Sequence, residues 1–240
     1  MGSEKYISMK AIKFNIKGKF AHFKKPDVNS YAYFTYSHIH KIAILGIFGS
    51  ILGLGGHNQF NGGIFPEFYE KLNHLKISII PKERYFNKKL QTFNNSIGYA
   101  SKEEGGNLII REQLLENPSW DIIVLDDESE EFRELKTKLI NKETTFIPYL
   151  GKNDFFANIS EFEEIELQKI DSEIECISLV PKEEIEFIKP PRKGLFYYEE
   201  LLPVSLKERI LIYNFKKMIL SNYLIKGDLF EWQNRGVWCG

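Results

Sequence analysis

The stretch from Ile42 to Leu54 is apolar on almost every side and is interrupted by Gly46 and Gly49. At about a dozen residues it is too short to span a bilayer. No signal-peptide pattern precedes it, so a soluble, cytoplasmic protein with no membrane partner is expected. A helix of that kind has to be buried on most sides, which requires a sheet beside it. Ile42, Ala43, Ile44, Leu45, Ile47, Phe48, Ile51 and Leu52 make its body, and Gly53, Gly55 and Gly56 end it. Its two internal glycines would let it lie close against that sheet.

The flanking pattern supplies the sheet. From Met9 to Phe23, Ile12, Phe14 and Ile16 alternate with Lys13, Asn15, Lys17 and Lys19, the period of a half-buried strand with a basic outer face. Leu75, Ile77 and Ile79 read as a second strand ending at Pro81. Trp120 to Leu125 is a third, followed by an acidic helix from Glu128 to about Asn141 that carries Phe132, Leu135 and Leu139 at helical spacing. Phe146 to Leu150 reads as a fourth strand. Between the second and third strands, Lys82 to Asn107 is polar and weakly periodic, a hairpin-like excursion. The order β–α–β, insertion, β–α–β predicts an α+β fold with a ferredoxin-like (RRM-like) layout over residues 9–150. Residues 1–8 read as a leader or tag remnant. Past Gly151, short strands at 161–167, 173–180, 185–188, 210–215, 218–225 and 229–238 predict a β-rich region over 151–240.

Charge is uneven along this plan. Residues 1–120 hold 16 Lys+Arg and 9 Asp+Glu, whereas residues 121–240 hold 16 and 24. From Lys10 to Lys25 there are six lysines and no acid. Aromatics reach 14%, with 12 Tyr, and three of them (Tyr31, Tyr33, Tyr36) share one loop beside that lysine run. Phosphate neutralisation next to stacking surfaces points to an RNA-type polyanion. Chemistry has weaker signals. Gly53-Leu54-Gly55-Gly56 lacks the Lys-Ser/Thr ending of a phosphate loop. His38 and His40, near His22 and His57, have no Cys or carboxylate cluster with which to hold a metal. The chain has two cysteines, so no disulfide framework is expected, and Cys239 has no evident catalytic partner. The acidic pairs Asp126–Asp127, Glu163–Glu164 and Glu183–Glu184 read as solvated element ends. Neither a metal nor a cofactor is expected.

Several motifs in order resemble the fifth Cas family, the RAMP-type subunits of type I CRISPR Cascade complexes. They are Phe20-Ala21-His22-Phe23-Lys24-Lys25-Pro26, Tyr36-Ser37, the glycine-bearing helix, Leu114 to Trp120, Tyr149 to Asn153 and, more loosely, Phe196 to Pro203. The first is most similar to the type I-B branch. The resemblance implies a ferredoxin-like body, a thumb at about 84–107 and a β-rich C-terminal extension. It implies a non-enzymatic role: capping the crRNA 5′ handle while contacting the Cascade backbone and large subunits, with target DNA met only indirectly. Lys24, Lys25 and Asn29 fall in the family's first-strand loop. The full expected RNA-contact set adds Lys19, His22, Tyr36, Ser37, Arg84, Lys88, Lys89, Phe93 and Arg111. Lys88 and Lys89, adjacent on an extended strand, would face opposite sides. The Lys–His pair of the repeat-cleaving type I-C branch is absent from the chain. Two other readings stay open: a metal-independent endoribonuclease using His22 or His38, and a pure protein–protein scaffold.

Overall fold

A computed structural model describes residues 8–26, 31–96 and 107–240. Of the expected leader at 1–8, residues 1–7 lie outside the described residues and Ser8 belongs to the first strand; Asn29 and residues 97–106 of the excursion also lie outside them. The protein is an α+β, strand-rich molecule. Its main sheet is built on β1 (Ser8–Lys17), which pairs antiparallel with β6 (Ser119–Leu125) on one side and β7 (Asn158–Ile170) on the other. β3 (Ile77–Pro81) pairs with β6 at one edge. Helix α1 (Lys41–Leu52) and the short α2 (Glu67–Leu72) lie between β1 and β3 in the chain, and α3 (Glu130–Asn141) lies between β6 and β7. Two β–α–β units are thus interleaved in one sheet.

The helices cover one face. Ile12, Phe14 and Ile16 are buried there with Ile44, Leu45, Phe48, Phe132 and Leu135, and the Phe14 and Phe48 rings meet at 6.0 Å. Ser129 caps α3 by accepting the Phe132 N–H at 3.1 Å. In α1 the two glycines differ. A Cβ at Gly49 would sit 2.7 Å from Phe68 of α2, whereas one at Gly46 would meet nothing within 4 Å. The close approach is therefore to a second helix, not to the sheet.

The opposite face of β1 departs from the expected basic outer surface. Every residue from Ala11 to Ile16 is buried. β14 (Leu229–Trp232) adds to β7, and β15 (Arg235–Val237) adds to β14. Gly240 then exchanges two backbone hydrogen bonds with Ile77 of β3, at 3.1 and 3.3 Å. The antiparallel sheet is nearly closed. Ala11, Ile123, Leu125, Leu167, Phe230 and Val237 form a second core inside it. Lys13 is enclosed with them, 3.0 Å from Glu163 and 3.9 Å from Asp121, with its Nζ 5.6 Å from the centre of the Trp232 ring. Asn15 Nδ2 donates to Asp121 Oδ1 at 2.9 Å and lies 3.1 Å from the Trp120 carbonyl. Buried polar side chains in a strand core need such partners.

Other differences are local. Phe146 to Leu150 is not a strand, because Pro148 removes a ladder donor and only Tyr149 makes a lone bridge, to Phe156. The sheet's fourth strand is instead β7, so strands on both sides of position 150 share one sheet. The excursion is a hairpin: β4 (Lys88–Asn94) pairs with β5 (Ile109–Glu116), which also pairs with β2 (Phe20–Ala21). Beyond β7, β8 (Ile174–Glu175) and β10 (Ile185–Lys189) flank β13 (Leu224–Gly227). β9 (Val180–Pro181) and β11 (Tyr197–Leu206) flank β12 (Tyr213–Ser221). The sequence pattern omits β11, whose alternation slips at a register shift around Pro203. No helix among the described residues is long and apolar enough to cross a membrane.

Asn15→Ala leaves the Asp121 carboxylate and the Trp120 carbonyl short of a buried donor. A loss of about 2 kcal/mol is expected, read as a lower urea midpoint with unchanged slope.

Candidate nucleic-acid interface

The tyrosine loop is laced to residues 22–25 and along β5 of the hairpin by main-chain hydrogen bonds. Lys25 N–H donates to the Phe34 carbonyl at 2.8 Å and Tyr36 N–H to Phe23 at 2.9 Å. On the loop's other edge, Tyr33 N–H donates to Arg111 at 2.8 Å and Gln113 N–H donates back to Tyr33 at 2.9 Å. This lacing fixes where the side chains emerge. Lys24 Nζ lies 3.9 Å from the centre of the Tyr33 ring, and the Arg111 guanidinium lies 5.2 Å from that of Tyr31, which is 62% exposed. Lys152 Nζ lies 5.2 Å from the Phe93 ring and 5.8 Å from Phe155.

Lys152 reaches the hairpin because its loop hugs β2. Gly151 has φ +85°, and a Cβ there would stand 2.0 Å from the His22 carbonyl oxygen, so only glycine fits. The His22 N–H donates to Leu150 at 3.0 Å, and Lys152 Nζ pairs with Glu112 at 2.7 Å. Strand alternation puts Lys89 on the Phe93 face of β4, opposite Leu114. Cations resting on rings next to exposed aromatic surface can hold phosphates and stack unpaired bases together.

A second group of the expected contacts gathers around Glu200 of β11. Its carboxylate takes the Lys25 ammonium at 2.7 Å, the Ser37 N–H at 2.9 Å and the Tyr198 hydroxyl at 2.6 Å. Burial pushes this carboxyl up, but those three donors outweigh it and hold Glu200 below the usual carboxylate range. Lys88 donates to Ser37 Oγ at 2.9 Å, and burial lowers its ammonium. Tyr36 is buried against His40 and lies under Lys25. Lys24 and Lys25 thus diverge, one to the surface and one to Glu200, and Lys88 and Lys89 diverge likewise.

The remaining expected contacts are scattered. Lys19 lies over Phe20, with Nζ 5.8 Å from the ring centre, and Arg84 lies over Phe196 at 4.9 Å. His22 is 4% exposed and hydrogen-bonded through Nδ1 to the Gln113 carbonyl, with burial lowering its pKa. His38 and His40 are buried among Phe23, Tyr36, Phe86, Tyr198 and Tyr213. His38 Nδ1 accepts the Trp120 indole N–H at 3.4 Å. His40 Nδ1 caps α1 by accepting the Ala43 N–H at 3.2 Å. The structure therefore sets Lys24 beside Tyr33 and Arg111 beside Tyr31, while Lys89 shares the Phe93 face of the hairpin, the face opposite to that of Arg111. It adds Lys152 and Glu200, neither of which the RNA-contact set contained. Lys152 carried one signal, its place directly after a glycine; Glu200 carried none, since its partners lie far away in the chain.

No family model and no curated protein matches the chain. Solved structures do share its fold. A chain of a CRISPR RNA-guided surveillance complex aligns with TM-score 0.52 at 9% identity, covering 90% of this chain and 91% of that one. A CRISPR protein from Archaeoglobus fulgidus aligns with TM-score 0.54 at 10% identity, covering 97% and 99%. The likeness runs over essentially the whole length of each.

Burial sets the pH response of this region. Desolvation holds His38 at about 4 and His40 at about 3, against an ordinary value of 6.5. The unfolded chain then binds protons that the folded chain refuses, so stability is full above pH 6.5 and falls as pH drops toward 4. From pH 7 to pH 5 a loss of roughly 2 kcal/mol per histidine is expected. Thermal melts across that range check it, and His38→Gln should flatten the slope.

Proposed function

We propose that this chain is a non-catalytic CRISPR RNA-binding subunit of a type I Cascade-like complex in the cytoplasm. In this reading it caps the crRNA 5′ handle, bridges the backbone and large subunits, and meets target DNA only through them. The observation that carries the reading is the set of cation–aromatic pairs beside the β4–β5 hairpin: Lys24 on Tyr33, Arg111 on Tyr31, Lys152 on Phe93. It is carried on a fold shared with a chain of an RNA-guided surveillance complex. Two interleaved β–α–β units, with sheet order β7-β1-β6-β3, support the ferredoxin-like layout, and the β4–β5 hairpin stands where the thumb belongs. The similarity of the Phe20–Pro26 motif to the type I-B branch supports a subunit of that branch. Burial of His22 and His38, with ring nitrogens engaged by Gln113 and Trp120, argues against acid–base cleavage by either.

The surface pairs and the inward lysines should separate in a mutational test. Lys24→Ala with Arg111→Ala removes two phosphate-reaching cations without touching the core. RNA affinity should fall about 10- to 100-fold, and the slope of log affinity against log salt should shrink by about 1 to 2, with an unchanged melt. Lys25→Ala should instead lower the melting temperature, because it leaves Glu200 buried without its counter-ion. Wild-type RNA affinity in the double variant would refute the interface. Incubation of repeat RNA with the purified chain in EDTA should leave the RNA intact; site-specific cleavage would refute the non-catalytic role.

A further inference from the structure

Away from the hairpin, a cavity of about 420 Å³ opens between the start of α1, β3, the β11–β12 pair and the segment Trp238–Gly240. Its volume is in the range of small-molecule sites, roughly 300–1,000 Å³. One wall is apolar, made by Ile77, Ile79, Leu202 and Met218, with Trp238 beside them. The other carries charge. Its acids are already engaged: Glu184 takes Lys216 and, at 2.8 Å, the Trp238 indole N–H, while Asp228 takes Lys169. Lys41 and Lys76 also line the cavity, and among the described residues neither has an ion-pair partner. Both are cations, close enough that Lys76 adds to burial in lowering the Lys41 ammonium to about 8. Lys41 is half-buried with an exposed second cation beside it in a partly apolar cleft, a placement that an anion between the two would relieve.

We propose that this cavity binds a small organic anion, its phosphate or carboxylate headgroup held between Lys41 and Lys76 and its apolar or aromatic body against Ile77, Leu202 and Trp238. The anion supplies the counter-charge that no acidic side chain among the described residues gives Lys41 and Lys76. The apolar wall selects against bare inorganic ions, which would leave it empty. The site is independent of the hairpin surface and of the RNA reading.

Thermal shift and calorimetric titration of the full chain test this, with phenyl phosphate, benzoate and inorganic phosphate as probes at matched ionic strength. Phenyl phosphate or benzoate should raise the melting temperature at millimolar concentration, and inorganic phosphate should do so less; the tighter organic probe identifies the headgroup. Lys41→Gln and Lys76→Gln should each weaken that binding at least 10-fold. The ligand-free melting temperature of each should hold or rise, since a repulsion is removed. RNA affinity should be unchanged in both, which keeps failure here distinct from failure at the hairpin. No organic-anion shift, a shift equal to that of sodium chloride, or an undiminished shift in the double variant would overturn the proposal.

Discussion

Closure of the main sheet decides what the rest of the molecule can do. With β14 and β15 added beyond β7, and Gly240 hydrogen-bonded to Ile77 at the far edge, β1 is covered on both faces. Its alternate residues are then forced into a second interior, where Lys13 and Asn15 remain only because Asp121 and Glu163 meet them. A sheet sealed this way offers no open face at β1 to a nucleic acid. The cation–aromatic pairs lie instead along the β4–β5 hairpin and the loops beside it.

The charge asymmetry of the chain takes on a structural meaning from the same arrangement. Part of the basic first half is spent inside the protein on acids of the second half: Lys13 on Glu163, and Lys25 on Glu200. Lys82 likewise pairs with Asp121. These contacts tie β11 and β7 to the N-terminal loops, so the acidic half organises the basic half. Among the cations left at the surface, Lys24 lies over Tyr33, Arg111 lies beside the exposed Tyr31, and Lys89 is on the Phe93 face. Glu200 has a further effect, because by drawing Lys25 inward it leaves Lys24 directed outward over Tyr33.

Local signals were legible in the sequence, and long-range ones were not. The apolar run at Ile42 marked α1, the Trp120–Leu125 run marked β6, and Phe132, Leu135 and Leu139 marked the buried stripe of α3. Polar composition marked the hairpin. Alternation in β1 showed that its faces differ, but a period of two cannot say what covers the second face; here the cover comes from residues more than 200 positions away. Pro203 hid β11, and Pro148 ended the apparent strand at Phe146. Of the expected RNA contacts, Lys25, Tyr36 and Ser37 turn toward Glu200 and the buried rings, and Lys88 is tethered to Ser37 beside them. Nothing near Glu200 in the chain announces that role.

The proposed interface has RNA meet the β4–β5 hairpin and the tyrosine loop, not the main sheet. Photo-crosslinking of 5′-handle RNA carrying a halogenated pyrimidine, followed by peptide mass spectrometry, reads the contact directly. The account predicts adducts on Tyr31, Tyr33 or Phe93, lost when Lys24 and Arg111 are both changed to alanine. Adducts confined to the outer surface of β7 or to the β10–β13 strands, with none on those three rings, would contradict it.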